Sequence, residues 1–200
     1  MIIGLYGGVG AGKTTIAKEF LKHGGELIVA DEIVKEAHRK PSIQQLVRAQ
    51  FGGVYFEGKL DTKKLADIVF EDEKALHELE MIVHPFVERE ILKRIKQSTA
   101  KFVVLDVPLL ASSPFHELVT IRVFIDTPLE TRQEVCRNSR GWTDEEHARR
   151  EAKQVPVEAK RKMCQYVVKN FGEHRAIIAE QVRNILAEMF TKNNLEFETL

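Results

Sequence analysis

The chain has 200 residues, 44% of them hydrophobic and 30% charged, with thirty Lys or Arg balanced by thirty Asp or Glu. That composition suits one soluble α/β domain with a substantial core and room for a helical insertion. The balanced charge speaks against a nucleic-acid partner, and no apolar run reaches the roughly 18 residues a membrane span needs, so no membrane association is expected.

The apolar opening MIIGLYGGVG lacks the basic start of a signal peptide, so it reads as a buried strand at 2–6. Further short, β-branched runs lie at 27–30, 102–107, 119–125 and 166–168. Continuous apolar runs of this length suit strands buried on both faces, which predicts a five-stranded parallel sheet. Between them, helical patterns are expected at 13–23, 31–39 and 42–51. The stretch 61–97 reads as helical throughout, with apolar residues at three- and four-residue spacings. It is too long for a simple crossover and reads as an inserted helical subdomain. Charged residues crowd 129–163, where most are expected on a solvated helical face; Thr143 reads as a helix cap with Glu146 three residues on. A last helix is expected at about 173–190, followed by a weakly patterned tail. Cys136 and Cys164 lack CxxC spacing, which fits a reducing compartment and predicts a cytoplasmic protein. The histidines lack metal-ligand spacing.

Gly7 to Thr14 matches G-x-x-x-x-G-K-[ST], with a strand before it and a helix after. Glycines let the backbone curl until successive N–H groups converge on phosphate oxygens. The start of the next helix adds its positive end. Gly8, Gly10, Ala11, Gly12, Lys13, Thr14 and Thr15 are therefore candidates to hold a nucleoside triphosphate. Lys13 serves the β- and γ-phosphates and the Thr14 hydroxyl a Mg²⁺ ion. Switch GTPases share the loop, but no guanine-reading N-K-x-D follows a later strand; a transport ATPase would need a signature loop and more length. Small-molecule kinases remain. Asp31, just after the second strand, is placed to accept or orient the proton of an attacking hydroxyl, or else to cap the next helix. Asp106, ending the third strand, is the expected partner of the metal.

Several segments together resemble the dephospho-CoA kinase family: Ile3 to Thr15, Ala30-Asp31-Glu32-Ile33, Gly58 to Leu65, Ile68-Val69-Phe70, Ile82-Val83-His84-Pro85 and Leu105 to Leu110, with Gln154 to Arg161 and Tyr166 to Asn170 near the end. They span nearly the whole chain in the right order. The chain departs from the family pattern at Val29, where many members carry a second Asp, at Lys35, where many carry Arg, and at Ala111-Ser112, where Phe-Glu often stands.

The resemblance implies ATP- and Mg²⁺-dependent phosphorylation of the 3′-hydroxyl of dephospho-CoA, the last step of coenzyme A synthesis. It implies a three-layer P-loop kinase fold: a nucleotide-binding core at about 1–58, 100–128 and 164–200, a CoA-binding helical insertion at about 59–99 and a mobile lid at about 129–163. It makes Asp31 the base. Arg137, Arg140 and Asn170 become candidate ATP ligands; Asp31, Lys35, His84 and Asp106 become candidate acceptor ligands. His84 reads equally well as part of a helix-breaking turn before Pro85. Trp142 is expected to pack lid helices or lie near adenine. A monomer or small homo-oligomer is expected. The rivals are another small-molecule kinase, of nucleotide or shikimate type, and a protein that binds ATP without transferring phosphate.

Overall fold

In a computed structural model of the chain, residues 1–56, 59–107, 109–172 and 175–192 are described. The expected start of the last helix at 173–174, the tail at 193–200, Gly58 and Pro108 lie outside them.

In chain order the elements are β1 (Ile2–Gly7), α1 (Lys13–Leu21), β2 (Gly25–Val29), α2 (Ala30–Ala37), α3 (Pro41–Gln50), β3 (Tyr55–Phe56), β4 (Lys59–Leu60), α4 (Thr62–Glu71), α5 (Glu73–Gln97), β5 (Phe102–Asp106), β6 (Ile121–Asp126), α6 (Leu129–Arg140), α7 (Asp144–Ala152), α8 (Val157–Lys162), β7 (Tyr166–Lys169) and α9 (Arg175–Lys192). All five predicted strands form one parallel sheet in the order β2-β5-β1-β6-β7. β1 sits at its centre: Ile3 pairs with Val104 on one side and Ile121 on the other. β3 and β4, too short to stand out in the sequence, pair separately and antiparallel.

The chain divides into two compact units, Met1–Ile28 with Ser98–Leu200, and Val29–Gln97. In the first, the sheet's apolar residues pack with Ile16, Ala17 and Phe20 of α1 and Val182, Leu186, Met189 and Phe190 of α9. Phe102 meets Phe20 and Phe190 edge-on, each at 6.2 Å between ring centres, the favoured geometry for aromatic quadrupoles.

The second unit is helical. α5 packs against α2, α3 and α4, burying Ile33, Ala37, Val47, Val83 and Ile91. Arg94 of α5 donates to Glu36 of α2 at 2.6 Å. The helical stretch expected at 61–97 consists of two helices, α4 and α5. Asp61 caps α4, its carboxylate accepting from the Lys63 and Lys64 N–H groups at 3.1 and 3.0 Å. Asp72 ends α4 and accepts from Lys74 N at 2.8 Å, turning the chain into α5. Pro85, by contrast, breaks nothing: it lies inside α5 with no turn at His84. Both residues are exposed, so the carbonyl that Pro85 leaves without a helical donor can be served by water. No described helix is long and apolar enough to cross a membrane.

Candidate active site

The segment between β1 and α1 follows directly from its glycines. Gly10 and Gly12 take φ of 78° and 84°, the left-handed region that other L-residues enter only with strain. Space forbids side chains there as well. A Cβ on Gly10 would come 2.5 Å from the Arg132 carbonyl oxygen and 2.8 Å from Cys136 Sγ; one on Gly12 would come 2.8 Å from Asn170 Nδ2. The alternation of left- and right-handed residues curls the backbone into an anion-binding nest. α1 begins at Lys13, at the mouth of that nest.

A nest works only if its carbonyls are kept turned away from the anion, and each carbonyl from Gly7 to Val9, together with that of Ala11, has a side-chain donor. Lys160 Nζ donates to Gly7 O at 3.3 Å and Lys13 Nζ to Gly8 O at 3.3 Å. His147 Nε2 and Arg132 Nη1 donate to Val9 O at 3.0 and 3.4 Å. Thr127 Oγ1 and Asn170 Nδ2 donate to Ala11 O at 2.9 and 3.0 Å. These donors come from α1, from the end of β6, from α6, α7 and α8, and from the end of β7.

The loop is surrounded by cations. Burial pushes the Lys13 pKa down; the Asp106 carboxylate opposes this, while Arg140 and Arg132 push the same way as burial. Lys160, 4% exposed, is lowered to about 8, again chiefly by burial and then by Lys13. A cluster of cations that suppress one another's charge is primed for a polyanion, whose arrival removes the mutual repulsion.

Asp106 ends β5, half-buried, with its charge felt by Lys13. Thr14 presents its hydroxyl in the exposed first turn of α1. Two hard oxygen donors beside a phosphate loop fit Mg²⁺, which keeps most of its coordination for water and phosphate. Thr15, next on α1, is exposed and lines a cleft with Lys18, Glu19, Lys22, Arg175 and Ile178.

The arginines separate. Arg137 is paired with Asp144 on the surface. Arg140 lies 4.6 Å from the Trp142 ring, which Arg150 approaches to 4.2 Å, so Trp142 packs α6 against α7. Of the two predicted arginines, Arg140 is the one whose charge acts on Lys13. Thr143 caps α7 as predicted, accepting from Glu146 N at 3.2 Å. The sequence reading missed Arg132, His147 and Thr127, which are buried. Their signal was faint: His147 and Glu151 are one turn apart on α7, a spacing that an exposed charged helix shows equally often.

In the second unit, Asp31 does not cap α2. The N-cap is Val29, and Asp31 lies within the first turn. Its side chain and that of Lys35, one turn on, are exposed on the same face; His84 is exposed on α5.

A parallel sheet, a glycine nest leading into a helix, a loop lysine and a strand-end acid define a P-loop kinase, an enzyme that transfers phosphate. A shikimate kinase of Bacteroides thetaiotaomicron shares the fold with a TM-score of 0.50 at 18% identity, over 94% of this chain and 98% of that one; the fold alone does not choose an acceptor. The family model described as dephospho-CoA kinase matches residues 1–176. The dephospho-CoA kinase of Aquifex aeolicus is 34% identical, over 94% of this chain and 96% of its own. A crystal structure from Thermus thermophilus superposes with a TM-score of 0.82 at 29% identity, covering 94% and 97%. The chain belongs to the dephospho-CoA kinase family.

Proposed function

We propose that the protein transfers the γ-phosphoryl group of ATP to the 3′-hydroxyl of dephospho-CoA, giving coenzyme A and ADP as the last step of coenzyme A synthesis. The observation that carries this reading is the family match across residues 1–176, which spans both units and not the phosphate loop alone. The 3′-oxygen attacks the γ-phosphorus, the bond to the β–γ bridging oxygen breaks, and ADP leaves with that electron pair.

The chain's own residues divide the work. The nest from Gly8 to Thr14, with Thr15, holds the phosphates, Asn170 fixes the Ala11 end of the loop, and Lys13 meets charge gathering on the leaving group. Arg140 adds positive charge at Lys13. Thr14 and Asp106 would hold Mg²⁺, which when bound draws off charge from the β- and γ-oxygens. Asp31 accepts the hydroxyl proton, a role supported by its place in the first turn after β2. Lys35 and His84 serve the acceptor within the helical region at about 59–99 and α2, and 129–163 covers the triphosphate. The unpaired thiols of Cys136 and Cys164 suit a reducing, cytoplasmic setting.

A coupled assay with purified protein, ATP, Mg²⁺ and a panel of acceptors tests the reading. Turnover is expected with dephospho-CoA and not with shikimate or nucleoside monophosphates. Folded protein that binds ATP but forms no coenzyme A would overturn it.

A further inference from the structure

One residue of the phosphate loop, Val9, is held at both of the peptide groups that meet at its Cα. The N–H of Val9 donates to Glu151 Oε1 at 3.0 Å. Its carbonyl accepts from His147 Nε2 and Arg132 Nη1 at 3.0 and 3.4 Å. The same Arg132 nitrogen is paired with the same Glu151 oxygen, and Arg132 Nε donates to Thr127 O at 3.1 Å. The ring thus closes on itself: Val9 N–H, carboxylate, guanidinium, Val9 carbonyl. Arg132 is 6% exposed and His147 1%. The pair also fills the space beside Gly8, where a Cβ would collide with the Arg132 guanidinium and the Glu151 carboxylate. His147 Nε2 must carry the ring proton to meet a carbonyl, since its buried Nδ1 has no partner among the described residues.

We infer that Glu151, Arg132 and His147 are positioning residues of the phosphate loop, which set the two peptide planes that meet at Val9 so that the loop's amides are aimed before the triphosphate arrives. A peptide plane has a single free rotation between its flanking Cα atoms. The bond from the Val9 N–H to Glu151 restrains that rotation in the Gly8–Val9 plane, and those to the Val9 carbonyl restrain it in the Val9–Gly10 plane, while the glycines on either side, Gly8 and Gly10, give the backbone no stiffness of their own. The ion pair is the part that cannot be replaced by water, because Arg132 is buried and losing Glu151 leaves its charge without a counter-ion. The three residues lie on α6 and α7, inside the block that the sequence reading treats as a mobile lid.

The inference rests on the ATP-kinase reading, and binding separates the two. The probe is a non-hydrolysable ATP analogue with Mg²⁺, titrated by calorimetry, alongside steady-state kinetics in both substrates. Glu151→Ala is expected to weaken analogue binding and raise KM for ATP by about tenfold, with KM for dephospho-CoA unchanged. Glu151→Gln, whose amide oxygen still accepts from Val9 N–H, should recover part of that loss. His147→Gln, which keeps a donor for Val9 O, should stay within about threefold of the parent while His147→Phe matches Glu151→Ala. Unchanged analogue affinity in folded Glu151→Ala and His147→Phe overturns the inference, as does an equal rise of both KM values. A parent protein that binds the analogue but phosphorylates no dephospho-CoA would sink the assigned reaction and leave the binding comparison intact.

Discussion

Lys160 is the residue whose burial has the plainest consequence. Its pKa falls from 10.5 to about 8, while its ammonium still donates to Gly7 O at 3.3 Å and Gln154 Oε1 at 2.7 Å. Between those two values the unfolded chain holds a proton that the folded one has released, so this group makes stability rise as pH climbs from about 8 to 10.5. Triphosphate binding acts the other way. Added negative charge near Lys13 and Lys160 favours the ammonium, so ATP should bind together with protons around pH 8. Calorimetry at pH 8 in two buffers of different ionisation enthalpy counts them. Uptake of a fraction of a proton is expected for the parent and none for Lys160→Met. Equal uptake in both would assign the proton to another group.

At the scale of elements, the five strands were legible because parallel strands buried on both faces read as unbroken apolar runs, and β1, β5, β6 and β7 begin and end within two residues of them. The phosphate loop was legible because its glycines answer to a backbone requirement that no other residue meets. Gly10 shows how strict that is. Gly10→Ala would place a methyl 2.5 Å from the Arg132 carbonyl at a φ of 78°. A loss of about 1–3 kcal/mol in unfolding free energy is expected from the backbone strain alone, with a larger fractional loss of ATP affinity, read by urea denaturation and analogue titration. A fully stable Gly10→Ala would mean that α6 can retreat from the loop. What stayed hidden in the sequence has a common cause. Arg132, His147 and Lys160 lie in helices so rich in charge that a solvated face is the natural reading; only the fold shows these three turned inward onto carbonyls. Pro85 shows the reverse: the helical pattern of 61–97 held through it, and the local rule against proline in helices, which favoured a turn at His84, yielded to packing by Val83, Val87 and Ile91 on the buried face.

At the scale of the molecule, each unit carries its own share of the proposed chemistry. The phosphate nest, Asp106 and the cations belong to the first; Asp31, Lys35 and His84 belong to the second, which the chain enters at Val29. Asp31 therefore stands two residues past that crossing, in the first turn of α2, and its proposed role concerns the acceptor and not the nucleotide. Asp31→Asn tests this with little change of shape. The amide can still accept a hydrogen bond from the 3′-hydroxyl but cannot take its proton. If proton transfer contributes in the usual way, kcat should fall by about 10²-fold or more. ATP affinity should stay within about twofold, because the proposed triphosphate contacts lie in the other unit. The size of the fall also reports on the reaction. Phosphoryl transfer through a loose, metaphosphate-like transition state asks little nucleophilicity of the hydroxyl, and a base then matters mainly after the new bond has formed. A drop of less than about tenfold, with KM for dephospho-CoA raised instead, would make Asp31 an orienting group for the 3′-hydroxyl and leave the proton to solvent or to the transferred phosphoryl oxygens.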